Sequence, residues 1–203
     1  MTTIPMPEQI YSFPALQAKI AKAVAMFGRR DWKLLKLDAH EQAIAHRIAI
    51  YLECQFKDDK TLNVDCEYNK HLEKAKRIDL DLKELRKKVR ELEACGCPAC
   101  TSVAHKANLD NKLFRPDIVV HSRGDDNRNI IVVEIKNTGV FCPFDGSKLE
   151  ALTAAKTNDK TYQYQLGVFL SFDGSKPSFK WYSNGDPLPE CSAMHHPLFL
   201  ESS

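Results

Sequence analysis

The sequence predicts a mixed α/β (α+β) single domain carrying a helical insertion. Three observations lead there. Apolar residues recur at helical spacing in two N-terminal segments. Short runs alternating apolar with polar residues, bounded by turn residues, mark five strands between residues 61 and 184. Between the first of these strands and the rest lie a charged heptad run and a cysteine cluster. The order α, α, β, long helix, β, β, α, β, β is that of one α/β layer structure with an elaboration.

Residues 6–27 place Ile10, Phe13, Leu16, Ile20 and Val24 on one helical face, with Pro14 an early interruption. A second helix is expected over 38–55. Asp38 is its expected N-cap, Glu41 follows three residues later as in a capping box, and Ile44, Ile48, Tyr51 and Leu52 form its apolar stripe. TLNVDCEYN (61–69) reads as a strand. From 71 to 94, Ile78, Leu82, Leu85, Val89 and Leu92 recur at steps of four and three, a heptad seam. Two heptads are marginal alone, so this helix must pack on the domain, on a second copy of the chain (a homodimer) or on a protein partner. Gly96 and Pro98 then make a turn inside CGCPACTSVAH. Strands 116–122 and 129–136 follow, joined by the turn-rich RGDDNRN, then a helix over 148–165. GVFLSFD (167–173) and SFKWYSN (178–184) are two more strands, turned by GSKP, before an irregular tail.

Composition narrows the function classes. The chain has 203 residues, 43% hydrophobic and 28% charged, an ordinary globular balance. No apolar run approaches the roughly 20 residues that span a bilayer. MTTIPMPEQIYSF lacks a basic region followed by an apolar core, so a cytoplasmic location is expected. A net charge of +2 neither demands nor excludes a nucleic-acid partner. The basic runs Lys22–Lys36 (with Arg29, Arg30 and Lys33) and Lys83–Arg90 (with Arg86, Lys87 and Lys88) are either phosphate contacts or solvated helix faces. Seven cysteines, an odd number, argue for free thiols or a metal site rather than a disulfide framework.

The chemistry concentrates in RPDIVVHSRGDDNRNIIVVEIK (115–136). Alternation puts Glu134 and Lys136 on one strand face and Ile131, Val133 and Ile135 on the other. Asp117 begins the preceding strand, so an antiparallel hairpin brings it beside the end of the next one, near Glu134 and Lys136. Two carboxylates at one place repel unless a positive group lies between them. Mg²⁺ (or Mn²⁺) fits, because it takes one or two protein carboxylates and completes its shell with water and phosphate. Taken singly, Asp117 is equally readable as a turn residue, and Glu134 with Lys136 as a solvent-facing pair.

Pro116-Asp117, sixteen residues, then Glu134-Ile135-Lys136 resembles the PD-(D/E)xK signature of the restriction-endonuclease-like nuclease superfamily. The resemblance implies an αβββαβ core from Asp38 to about Asp173, with residues 70–112 as a helical, Cys-rich insertion between the first and second core strands. It implies metal-dependent hydrolysis of phosphodiester bonds, with DNA the expected substrate. Mg²⁺ or Mn²⁺ would be held by Asp117, Glu134 and the main-chain carbonyl of Ile135, and Lys136 would activate or orient the attacking water. The superfamily often adds an acid from the first core helix. Glu41 would fill that place, as a further ligand or by orienting a metal-bound water, with His46 and Arg47 nearby on the same helix. The superfamily also commonly sets a Gln or Tyr on the helix after the ExK strand, which points to Tyr162, Gln163, Tyr164 and Gln165. Asp65, Glu67 and His121 are secondary candidates to border the site.

Cys97-x2-Cys100-x4-His105 is similar to the first three ligands of a zinc knuckle, whose fourth position falls on Asp110. Cys95, Asp110, Cys66 or Cys142 would have to complete a tetrahedral structural zinc site. A zinc hydrolase is disfavoured, because thiolate-rich sites are usually closed. The competing class is a catalytically idle nucleic-acid- or protein-binding subunit of a larger nuclease, mobile-element or defence assembly.

Overall fold

The computed structural model describes residues 11–68, 115–139, 141, 143–155, 162–174 and 176–189, and positions 70, 71, 74, 75, 87, 90 and 94. Helix α1 spans Phe13–Arg30 and buries Leu16, Ile20, Ala23, Val24 and Phe27. Pro14 lies in its first turn, where the missing N–H has no intrahelical partner to lose, so the proline starts the helix instead of interrupting it. One further turn, α2 (Lys33–Lys36), leads to α3 (Glu41–Gln55).

The start of α3 corrects the expected capping box. His40 is the N-cap, its ring nitrogen accepting from the Gln42 backbone N–H, while Asp38 sits at φ +49° two residues before it. Glu41 is therefore the first helical residue, and its carboxylate is turned to the sheet and not to its own helix end.

The sheet has six strands in the order β1-β4-β5-β6-β7-β8, formed by β1 (Asn63–Cys66), β4 (Ile118–Ser122), β5 (Asp125–Lys136), β6 (Leu166–Asp173), β7 (Lys176–Ser183) and β8 (Asp186–Pro187). Every pairing is antiparallel except β5 with β6. That parallel pair follows from the connection, since helix α4 (Pro143–Thr153) crosses over between the two strands. A separate two-stranded ribbon pairs β2 (Lys70–His71) with β3 (Lys74–Ala75).

Both sheet faces are covered, which explains the near-continuous apolar runs of β5 and β6. On one face Ile118, Val120, Ile131, Val133, Ile135, Val168 and Leu170 pack with Leu16, Ile20 and Phe27 of α1 and Ile44, Ile48 and Leu52 of α3. On the other, Val119, Val132 and Phe169 pack with Leu149 and Leu152 of α4 and with Tyr162, Tyr164 and Tyr182. Each fully buried aliphatic side chain contributes about 1.5–3 kcal/mol. Glu134 continues the second series, so it lies on the α4 side of the sheet.

Three expectations change. The β4–β5 turn is only Arg123-Gly124, with Gly124 at φ +80°, and most of RGDDNRN belongs to β5. The extra residues are taken up by register shifts between Val120 and Ser122. The helix after β5 is Pro143–Thr153 and not 148–165; Tyr162, Gln163 and Tyr164 form an irregular approach to β6, with Gln163 at φ +48°. The helix expected from residue 71 does not begin there, because His71, Lys74 and Ala75 are in the ribbon, whereas positions 87, 90 and 94 are helical. The heptad residues Ile78, Leu82, Leu85, Val89 and Leu92 lie outside the described residues. Among the described residues no helix is long and apolar enough to cross a membrane.

Candidate active site

Register builds the site. Ile118 pairs with Val133, which sets Asp117 opposite Glu134, one step beyond the last pair. Asp117 Oδ2 accepts a hydrogen bond from the Ile135 backbone N–H at 2.6 Å. The Asp117 carboxylate is thereby fixed at the end of β5. Lys136 Nζ donates to Glu41 Oε2 at 3.1 Å and to the Ile135 carbonyl at 3.2 Å. Glu41 Oε1 also accepts from the Asn137 backbone N–H at 3.4 Å, so the first turn of α3 is tied to the end of β5.

Helix α4 adds two residues that the motif does not contain. Asp145, 4% exposed, stands 3.6 Å from Lys136 Nζ through Oδ2. Lys148 Nζ lies 2.8 Å from Asp145 Oδ1 and 3.9 Å from Glu134 Oε2. The site is therefore a box of four carboxylates (Glu41, Asp117, Glu134, Asp145) and two ammonium groups (Lys136, Lys148). Sequence reading missed the α4 pair because the helix was expected to begin at residue 148, which left Asp145 outside it, with Gly146 between. The only available signal was the i,i+3 spacing of Asp145 and Lys148.

Burial and crowding set the charges. Burial raises the Asp117 carboxyl to about 6, aided by Glu41 and Asp145 and opposed by the Ile135 N–H and Lys136. Burial drives Glu134 well above the usual carboxylate range; Asp117 and Asp145 push the same way, and Lys148 and Lys136 push back. Burial alone would lower Lys136, but Asp145, Glu41, Glu134 and Asp117 together hold it above the ordinary lysine value. Lys148 is raised likewise, Glu134 and Asp145 outweighing its burial.

The residues present fit a hard divalent cation. Carboxylate oxygens beside a backbone carbonyl are the donor set Mg²⁺ and Mn²⁺ prefer. Glu134 is 4% exposed, yet its Oε1 has no hydrogen-bond partner among the described residues. A buried carboxylate oxygen without a donor carries a desolvation cost that a bound cation removes. Among the described residues no ready-made cage of three or more His, Cys, Asp or Glu is formed. Instead Lys136 bridges Glu41 and Asp145, and Lys148 bridges Glu134 and Asp145.

The other expected residues fall elsewhere. His46 is exposed, and Arg47 is bound to Asp31 (3.0 Å) and to the Tyr51 hydroxyl (2.9 Å) beside α1. Gln165 donates its backbone N–H to the Asn129 carbonyl and its side-chain amide to the Tyr11 carbonyl at 2.6 Å. Asn129 lies five residues before Glu134 along β5, about 17 Å away at strand rise. The Tyr162 carbonyl is held there too, by Asn129 Nδ2 at 2.6 Å. Tyr162, Gln163 and Gln165 thus serve the opposite end of the sheet. Asp65 is engaged by His121 Nε2 at 3.0 Å and by the Arg123 guanidinium, a structural ion cluster backed by the Tyr68 ring 4.3 Å from the His121 ring. Glu67 receives the Gln42 amide and gives its backbone N–H to the Asp117 carbonyl at 3.3 Å, bracing the site from β1.

Of the zinc candidates, Cys95, Cys97, Cys100, His105, Asp110 and Cys142 lie outside the described residues. Cys66 is described. Partial burial of its sulfur, with Asp117, Asp65 and Glu67 close by, pushes its thiol up to about 11, so the unligated thiol is neutral near pH 7.

No family model, curated protein or solved structure matches the chain.

Proposed function

We propose that the protein is a divalent-cation-dependent phosphodiesterase of the PD-(D/E)xK type, acting on nucleic acid, with DNA the expected substrate. One observation carries the reading: Asp117, Glu134 and Lys136 converge at the end of β5, Glu41 closes the group from α3, and among the described residues the buried Glu134 Oε1 has no donor. The order α3-β1-β4-β5-α4-β6 supports it, since that is the αβββαβ order of the superfamily. The surroundings support a polyanionic substrate. Lys33 and Lys36 are exposed on α2, and two residues after Lys36 the chain reaches Asp38, whose Oδ1 accepts from Asn137 Nδ2 at 3.2 Å beside Lys136.

In this reading Asp117, Glu134 and the Ile135 carbonyl would hold Mg²⁺ or Mn²⁺. When bound there, the cation would supply acidification of the attacking water and neutralisation of phosphate charge. Lys136 stays protonated, because the carboxylates around it stabilise its charge. It therefore orients the water or a phosphate oxygen as a hydrogen-bond donor and does not take the proton. Glu41 holds the Lys136 ammonium in place. Water adds to phosphorus, the P–O bond to the leaving sugar oxygen breaks, and the proton the water loses ends on that oxygen, giving a phosphate monoester and a free hydroxyl.

Labelled single- and double-stranded DNA, and RNA of matched sequence, incubated with Mg²⁺ or Mn²⁺ tests this. Cation-dependent cleavage of DNA that is lost in Lys136→Ala is expected. Equal cleavage by Lys136→Ala would remove the assignment.

A further inference from the structure

Lys148 is the least expected member of the site. Its ammonium is held on three sides: Asp145 Oδ1 at 2.8 Å, Glu134 Oε2 at 3.9 Å and the Phe144 ring, whose centroid lies 4.8 Å away. Its side chain is only 19% exposed, so it is a fixed charge and not a roaming surface lysine. Glu134 is consequently divided between two roles. Oε2 faces the Lys148 ammonium, while Oε1, buried, has no hydrogen-bond partner among the described residues.

Two-ion phosphodiesterase sites place their cations about 3.5–4 Å apart, bridged by shared carboxylates. Here one flank of Glu134 is already occupied by a covalently tethered cation. With all groups ionised, four carboxylates and two ammonium groups leave the box at −2, the charge that one divalent ion neutralises. A second divalent ion would make the box cationic and would have to displace Lys148 from Asp145.

We propose that the site takes a single divalent cation, on the Oε1 side of Glu134, and that Lys148 is a positioning residue standing where a second ion would otherwise sit. This rests on the phosphodiesterase reading above and adds its stoichiometry. Asp145 takes part as the anchor of Lys148 and not as a ligand of the ion.

The test is Mn²⁺ binding to the full chain, by calorimetry and by the loss of free-Mn²⁺ paramagnetic signal, which needs no turnover. One ion per wild-type chain is expected. Lys148→Arg, which keeps the charge, should also bind one. Lys148→Gln should bind two, and Lys148→Met, of similar length and uncharged, serves the same purpose if Lys148→Gln does not fold. Two ions in the wild type, or a single ion with wild-type affinity in both uncharged variants, overturns this inference and leaves the phosphodiesterase reading standing. No ion in the wild type overturns both.

Discussion

Asp117 Oδ2 accepts the Ile135 backbone N–H at 2.6 Å, across the open end of the β4–β5 pair. The bond sets the Asp117 carboxylate beside Glu134. Asp117→Asn keeps an acceptor for Ile135 but removes the charge. Cation binding and cleavage should fall by at least about 100-fold, since a direct ligand matters more than the outer-shell partners whose loss costs 10–100-fold. The thermal midpoint of the cation-free protein should not fall. A marked loss of midpoint, with cleavage retained by the folded fraction, would make Asp117 a structural residue.

The raised Asp117 pKa dictates a pH dependence. Its folded value of about 6 lies above the unfolded reference of 3.8, so the folded state binds the proton more tightly. The contribution favours folding at low pH and is lost as pH rises from about 4 to about 6, amounting to roughly 3 kcal/mol. Glu134 shifts in the same direction. Asp31, Asp59 and Asp65 are lowered and act oppositely at more acid pH, so the effect is read as the difference between wild type and Asp117→Asn. Urea unfolding without divalent ions should show Asp117→Asn gaining stability relative to wild type between pH 4.5 and 7 (about two-thirds of the effect or more). A difference that is flat with pH contradicts the assigned environment. Cation binding expels these protons, so Mn²⁺ affinity should rise with pH through about 6.

Lys136 is held protonated by its four carboxylate neighbours. A lysine acting as donor can be replaced by arginine with partial retention of rate, whereas a lysine acting as base cannot. Lys136→Arg should therefore cleave measurably and Lys136→Met should not, with the rate showing no dependence on a lysine deprotonation at alkaline pH. Equal inactivity of Lys136→Arg and Lys136→Met would point back to a proton-accepting lysine.

Asp65 should prove structural. Its pKa is lowered because the Arg123 and His121 hydrogen bonds outweigh its burial, and those partners lose their counter-charge in Asp65→Ala. Loss of about 1–3 kcal/mol in urea unfolding is expected, with cleavage per folded molecule unchanged. Gln165→Ala should behave alike, losing about 1 kcal/mol with its bond to Tyr11 and leaving cleavage intact. Lost activity in a stably folded form of either variant would extend the site toward that residue.

Much of this geometry was legible because strand periodicity is rigid. Alternation alone separates Glu134 from Ile135, and pairing of Ile118 with Val133 brings Asp117 to Glu134 whatever the turn does. The turn itself was misread, since Asp, Asn and Gly dominate both turns and bulged strand ends, and 125–129 is such an end. The α4 boundary was hidden by Gly146. A Cβ there would meet the Phe141 ring at 2.8 Å and the Tyr182 hydroxyl at 3.0 Å, so close helix–sheet packing selects a residue that reads locally as a helix breaker. With α4 misplaced, Asp145 and Lys148 went unseen, and Gln163 and Gln165 were assigned to a helix that ends before them. Glu41 was readable as either a cap or a site acid; the His40 cap resolves the ambiguity locally, and the Lys136 contact shows where the carboxylate goes.

The central claim is that cation and carboxylates together cleave a phosphodiester. Its most direct measurement is the conversion of supercoiled and linear DNA by the purified wild-type chain in Mn²⁺, in Mg²⁺ and in EDTA, beside Asp117→Ala at equal folded concentration. Cleavage in either cation, abolished by EDTA and absent from Asp117→Ala, is the predicted result. Cleavage that persists in EDTA or in Asp117→Ala, or no cleavage of any nucleic acid by a chain shown to bind Mn²⁺, contradicts it.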